Sequence, residues 1–566
     1  PQYGRGAGRG GGGGGGSGGR LRGLAIGVVS VIGIFAIMNR MGSSVEVTEP
    51  SMMGEVSRVE SDLHVATWNI AAINNNPFEY WLTYDNDYYK TLMQRVQDYI
   101  ENPDESITVE TVFTDDMYSS LRAEMLAAGW PEQDIAVVDG IWNSDFKQRQ
   151  AVNGFLKDKE LGLKRLASMP DRVTNTVSTE SGMDYRPTVI NCYGERLASV
   201  ADWWAKWQSY MFATGVVKSS VVGQAYAQVL KPIKKSKYPA ITEQEEAVSL
   251  PLQTLSLAIF DGILVDMLAR VQGADGDWQD LRSNICANLN HRKTDRILEI
   301  LSSQYAGADA VLLQEVARSF ITRTAEGPLG QGHHVLYPAT LDPKRDQNSV
   351  ILLRKSRFDV PAGAEVTDRV FAQFPANAAA PAAAGDIFAT LAEDKVSGDT
   401  VMVASFHGDT NGLASVPVMK AVNGAYRELK REHAGLRLIF GLDANTYRAK
   451  KEGYQNVLEF AEAFTAVGLT SIFGDVPNPD YVTTYNARTY LQPQLNKATK
   501  SDETAAKGDV NPKDFILFGA DDFTPVTYGK DNTGGGTYVE NMVFPTLKFP
   551  SDHGVLSALL RYSSQV

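Results

Sequence analysis

Asp62-Leu63-His64-Val65-Ala66-Thr67-Trp68-Asn69-Ile70 is an apolar run that carries an amide near its end. It reads as a strand whose functional end is Asn69, because open sheets present side chains to a ligand at strand ends. Four further stretches have the same construction. Leu313-Gln314-Glu315-Val316, Ser405-Phe406-His407, Gly441-Leu442-Asp443-Ala444-Asn445 and Ser551-Asp552-His553 each sit at the end of a strand-like run. Toward their ends the five stretches supply two histidines, His407 and His553, three carboxylates, Glu315, Asp443 and Asp552, and two asparagine amides, Asn69 and Asn445. That inventory suits hydrolysis of a phosphate ester. It offers oxygen ligands for a hard divalent cation, a base for water and donors for phosphoryl oxygens.

A sixth stretch, Lys513-Asp514-Phe515-Ile516-Leu517, fits with these five. In this order the six resemble the endonuclease/exonuclease/phosphatase family, the metal-dependent group that includes DNase I, deadenylases, sphingomyelinases and inositol-polyphosphate 5-phosphatases. The resemblance covers roughly residues 62–73 and 291–566. It implies an α/β fold, the DNase I-like four-layer α/β sandwich, with the motifs gathered at one rim. It also implies an enzyme that hydrolyses phosphoric esters with Mg²⁺, or Mn²⁺, as cofactor.

Roles carry over residue by residue. Glu315 is the expected metal ligand, with Asn69 beside it and Asp552 as a second ligand or a support. Asp443 is the expected base for the attacking water, and Asn445 points the same way along the strand end. His553 donates to a phosphoryl oxygen while Asp514 holds its imidazole, and His407 is a second donor near the leaving group. Arg488 and Lys497 either clamp a phosphate or belong to surface structure. One departure is Gly408-Asp409-Thr410-Asn411-Gly412 after His407, read as an Asx-type turn. A second is that Asp443-Ala444-Asn445-Thr446-Tyr447-Arg448 only loosely echoes the 5-phosphatase motif.

The rest of the chain sets bounds. At 566 residues it is too long for one compact domain. Its net charge is −13, so the whole molecule has no basic footprint for a nucleic-acid backbone, which leaves nucleic acid open as a substrate only. Cys192 and Cys286 do not make a disulfide framework; buried free thiols are expected, with a single bridge as the alternative.

Residues 1–20 are a Gly/Arg-rich flexible tail. Gly23–Met38 is an unbroken apolar run of 16 residues flanked by arginines, within an expected membrane anchor at 21–41. A cleaved signal peptide and an organelle-targeting segment are the rival readings. The positive-inside bias then puts the catalytic domain on the lumenal or extracytosolic side of a single-pass protein. Residues 42–61 read as a stalk.

Glu315 lies 246 positions after Asn69, so residues 74–290 form an insertion the size of a domain. Tyr89–Ile100, Ser119–Ala128, Gln148–Ala167, Leu197–Phe212 and Thr254–Val271 show helical spacing of apolar residues. Leu250–Leu268 is apolar enough to span a membrane, but Pro251, Asp261 and Asp266 argue for a buried helix. The insertion carries 20 Lys and Arg against 30 Asp and Glu, a difference of −10 out of the total −13. Such a surface beside the site favours a small or lipid-borne phosphoester over a long polyanion.

Overall fold

The structure is a computed structural model and describes residues 59–167, 173–179, 182–213, 224–341, 345, 347–376, 379–499 and 508–563. The expected tail, the run Gly23–Met38 and most of the stalk lie outside these residues. Two six-stranded mixed sheets face one another. The first runs in the order Phe523–Asp531, Val555–Tyr562, Leu63–Asn69, Ala310–Val316, Asn348–Arg354, His333–Leu336. The second runs Leu469–Ser471, Asp514–Gly519, Arg437–Asp443, Thr400–His407, Ile387–Asp394, Phe358–Asp359.

Each sheet has one parallel pair near its centre. Leu63–Asn69 lies parallel to Ala310–Val316, and Thr400–His407 lies parallel to Arg437–Asp443. Parallel pairing brings C-terminal ends together, so Asn69, Gln314, His407 and Asp443 end their strands in register pairs: Asn69 with Gln314, His407 with Asp443. The inner faces form one apolar layer that includes Val65, Leu312, Val403, Ile439 and Leu556. The outer face of the first sheet buries the helix Lys293–Ser303, and that of the second buries Ser415–Glu432 and Val457–Thr465. The result is a helix/sheet/sheet/helix sandwich, the α/β architecture implied by the sequence.

The two sheets approach each other closely at Gly441. A Cβ there would lie 2.8 Å from Thr67 Oγ1 and 2.9 Å from Leu312 Cβ. Beside it, Gln314 Nε2 donates to Ser405 Oγ at 3.0 Å and to Thr67 Oγ1 at 3.1 Å, a polar stitch between sheets. Gly441→Ala is therefore expected to destabilise the fold by about 1–3 kcal/mol through overpacking. Urea denaturation should show a lower midpoint at an unchanged slope.

Between residues 74 and 290 the chain is mainly helical around one long buried helix, Ser249–Val271. Among the described residues it is the one helix apolar and long enough to cross a membrane, yet nearly all of it is packed inside the protein. Its Asp261 explains why it stays there. The carboxylate pairs with fully buried Arg186 at 2.8 Å and accepts from Thr188 Oγ1 at 2.7 Å and Trp207 Nε1 at 2.9 Å. Trp203, Trp204 and Trp207 pack as core, as their helical spacing suggests.

Two expectations for this region fail. Gln148–Ala167 is not one helix but a 3₁₀ turn, a π turn at Ala151–Leu156 and a short helix Lys159–Leu163. Asp158 caps the last piece by accepting from the Leu161 N–H at 2.7 Å, which restarts the helix. Cys192 and Cys286 are bridged rather than free, with Cα atoms 5.6 Å apart across 94 residues of sequence. Helix Trp278–Cys286 carries its last residue to the loop that holds Cys192.

Candidate active site

The rim where the parallel strands end is built with strain. Among the described residues five non-glycine residues have positive φ, and three of them, Ala71, Glu315 and Asn445, stand here at 56°, 55° and 47°. Such backbone is costly for an L-residue and collects at functional sites. At Glu315 it coincides with a shift of register between Leu313 and Val316 against the strand Asn348–Arg354. This bulge re-aims the side chain, so that Glu315 leaves the sheet and faces the rim.

Asn69 ties the two sheets' acids together. Its Nδ2 donates to Glu315 Oε1 at 3.1 Å and to Asp443 Oδ2 at 2.9 Å. Its Oδ1 accepts the Ala71 N–H at 2.8 Å, fixing which way the amide points. Glu315 Oε2 accepts from the Ala72 N–H at 2.8 Å and from Gln347 Nε2 at 3.1 Å. Burial pushes this carboxyl up, but the His407 imidazole, these donors and His553 outweigh it and hold it at about 2. Glu315 is thus ionised.

Asp443 is fully buried between two imidazoles. His407 Nε2 and His553 Nε2 each lie 3.7 Å from its Oδ2, while the Asn445 N–H donates to Oδ1 at 2.8 Å. His407 Nε2 is also 3.4 Å from Glu315 Oε1. On its far side, His553 Nδ1 meets Asp514 at 2.9 and 3.1 Å. Burial acts on both members of that pair, lowering the imidazole and raising the Asp514 carboxyl. The bond between them, with Asp443 close by, wins at the histidine and pushes it up to about 10, so His553 is an imidazolium at neutral pH.

Asp443, Asp514 and His553 crowd closely enough to resemble a metal cluster. His553 Nδ1 is already engaged by Asp514, and Asp443 lies between the two imidazoles. A second position that could hold a metal is Glu315. Its ionised carboxylate lies in a cleft that Asp552 also lines, and both offer hard oxygen. Two carboxylates with room for water fit Mg²⁺ or Mn²⁺ rather than Zn²⁺.

The cleft holds about 380 Å³. Glu315, Gln347, Asp552 and Arg488 line it from the sheet side, and Asn74, Tyr80, Leu289 and Asn290 from the helical stretch. The Cys192–Cys286 bridge lines the same wall. Arg488 pairs with Glu79 at 2.7 Å and its guanidinium sits 5.6 Å over the Tyr80 ring. Lys497 does not line this cleft; it borders two others farther out. Asp409 accepts from the Asn411 N–H at 3.2 Å and the Ala414 N–H at 2.7 Å, so the segment after His407 is a turn as expected.

Sequence reasoning missed three contributors. Thr483 Oγ1 donates to Asp514 Oδ2 at 2.6 Å and orients it. Ser551 Oγ donates to the Asn69 carbonyl at 2.7 Å and accepts from the His553 N–H at 3.1 Å, which locks two motifs together. Lys293 is buried against the cleft, with its Nζ donating to the Ala72 carbonyl at 3.2 Å. Burial pushes its ammonium down to about 8, against the pull of Asp552 and Glu315. Only Ser551 carried a signal, as the first letter of a recognised motif.

The sandwich and the residues at its rim agree with the fold that the sequence resemblance implies. Solved structures similar to this chain include an endonuclease/exonuclease/phosphatase from Bacteroides vulgatus, at 14% identity and TM-score 0.34 over 49% of this chain and 94% of that one. The human nocturnin catalytic domain with bound sulfate anion is similar at 16% identity and TM-score 0.33, over 49% and 89%. An endonuclease/exonuclease/phosphatase family protein from Bacteroides thetaiotaomicron is similar at 17% and 0.32, over 48% and 89%. A family described as "Domain of unknown function (DUF8234)" matches residues 106–283, within the helical stretch. No curated protein matches the chain by sequence.

Proposed function

We propose that the protein is a metal-dependent phosphoesterase that acts on a small or short substrate. The observation that carries this reading is Asp443, a buried carboxylate held by Asn69 and flanked by two imidazoles, next to the ionised Glu315. A phosphoryl group within reach of these side chains meets a base, a cation and an amide at once. Glu315 and Asp552 would hold Mg²⁺ or Mn²⁺, which when bound supplies positive charge to the phosphoryl oxygens. Asp443 takes a proton from the attacking water as the water oxygen bonds to phosphorus. The His553 imidazolium donates to a phosphoryl oxygen as charge grows there, and Asp514 keeps it protonated. The departing oxygen takes its proton from His407. Asn69 keeps base and metal ligand in register.

Activity should therefore vanish in EDTA and return with added Mg²⁺ or Mn²⁺ when bis(p-nitrophenyl) phosphate is the substrate. Hydrolysis undiminished by excess EDTA would refute the reading.

The proposal includes a membrane anchor at Gly23–Met38 with the enzyme on the lumenal or extracytosolic side. The flanking arginines support it, and so does the Cys192–Cys286 bridge, since disulfides persist in oxidising compartments. Full-length protein is expected to pellet with membranes and resist carbonate extraction. Recovery as a soluble product without its first forty or so residues would replace the anchor by a cleaved signal.

A further inference from the structure

A second cleft, of about 730 Å³, lies beyond Arg488 and Thr410, which line both clefts. Its walls are loops that leave or enter the catalytic strands. Thr410 follows His407, Tyr447 to Tyr454 follow Asn445, and Asp509 to Asn511 precede Asp514. Glu315 and Asp552 line the first cleft and these loops line the second, and the two adjoin at Thr410 and Arg488.

Among the described residues four cations, Arg448, Lys451, Arg488 and Lys497, line it with one carboxylate, Asp509. Asp509 is already neutralised by Lys513, whose Nζ lies 2.6 Å away. Arg448 meets Asp480 at 3.2 Å, but both are largely exposed, and such a pair is weak enough to exchange for a ligand anion. Arg488 is paired with Glu79 at 2.7 Å, which leaves the exposed Arg448 and Lys451 to meet a ligand anion.

Two aromatic rings stand among the cations. Tyr447 and Tyr454 are half-buried, with centroids 4.8 Å apart at 78°. Tyr447 is fixed by donating its hydroxyl to the Thr410 carbonyl at 2.8 Å, and Lys451 Nζ lies 3.9 Å from the Tyr454 ring centre. Aliphatic lining is confined to three alanines and Val510, so an acyl chain finds little to pack against. Rings interleaved with cations instead suit bases that stack and phosphates that pair.

We propose that this cleft holds a nucleotide arm, so that the substrate is a short single-stranded nucleic acid cut at a phosphodiester. The inference rests on the phosphoesterase reading above and adds the substrate class. A phosphomonoester would leave the basic cleft idle. Duplex is disfavoured because the stretch containing Tyr80 and Asn290 walls the first cleft.

The test compares full-length protein in Mg²⁺ on a single-stranded hexanucleotide, bis(p-nitrophenyl) phosphate and sphingomyelin–phosphatidylcholine vesicles. The hexanucleotide is expected to have the highest kcat/KM. In the Arg448→Ala, Lys451→Ala, Tyr454→Ala variant, the ratio of kcat/KM for hexanucleotide over the small diester should fall at least about tenfold, mainly through KM. The salt dependence of KM should flatten as well. A labelled hexanucleotide bound to the Asp443→Asn protein should likewise lose at least about tenfold in Kd when the three substitutions are added. An unchanged ratio and unchanged Kd, or faster hydrolysis of the vesicles, overturns the nucleotide assignment while leaving a phosphoesterase. Absence of metal-dependent hydrolysis of all three substrates overturns the phosphoesterase reading instead.

Discussion

Asp443→Asn is expected to lower kcat by roughly 10²-fold or more, with a far smaller change in KM. The substitution keeps the shape and the hydrogen bond from the Asn445 N–H, so the fold should persist. What it removes is the one buried anion that both imidazoles face. His553→Ala should cost a comparable factor, because the imidazolium acts on charge that develops in the transition state. Asp514→Asn should act through His553. Its carboxylate lies 2.9 Å from Nδ1 and contributes most to raising the imidazole. Adding Asp514→Asn to His553→Ala should thus make the enzyme little worse than His553→Ala alone. Single-turnover rates would check this, and additive losses would show that the two residues do not form one unit.

Asp261→Ala should be the most damaging change outside the site, at about 3–5 kcal/mol. It leaves the Arg186 guanidinium fully buried without its counter-charge and strips two further donors, Thr188 and Trp207, of their acceptor. These groups anchor the middle of Ser249–Val271 to the loop near residue 188 and to the helix Val200–Met211. Replacing both charges together, as in Arg186→Met with Asp261→Leu, should recover much of the loss, since an apolar pair carries no desolvation penalty. Thermal unfolding of the two variants measures the difference. An Asp261→Ala protein as stable as the parent would mean that the pair adds nothing to this core.

Much of the sandwich was legible because its strands are short apolar runs closed by a polar residue. Thr400–His407 and Arg437–Asp443 end where the quoted stretches Ser405-Phe406-His407 and Gly441-Leu442-Asp443 put them. The strand Phe523–Asp531 was not legible, since Pro525 and Gly529 speak against one. It survives at the sheet edge, where a missing ladder bond is tolerated. Of the site, the residues at strand ends come together: Asn69, Glu315, His407, Asp443, Asn445, Asp514 and His553 lie within one network. Arg488 reaches the cleft and Lys497 stays outside it.

The unread parts depend on contacts distant in sequence. The bulge that turns Glu315 outward has no glycine to announce it. Thr483 matters only because its loop passes Asp514, and the Cys192–Cys286 bridge spans 94 residues that the sequence cannot fold. Helix Glu132–Ser144 buries Ile135, Val138 and Trp142 but leaves Val137 and Ile141 partly exposed, so its apolar stripe is blurred.

Hydrolysis of bis(p-nitrophenyl) phosphate by Glu315→Gln and by the parent, with Mg²⁺ varied from excess EDTA to saturation, tests the central claim most directly. Glutamine keeps the size of the side chain and removes the ionised oxygens that Asn69 and the Ala72 N–H hold toward the cleft. The parent should be inactive in EDTA and saturate with Mg²⁺, while the folded variant loses on the order of 10²-fold or more at every concentration. A variant as fast as the parent, or a parent indifferent to EDTA, would contradict the account.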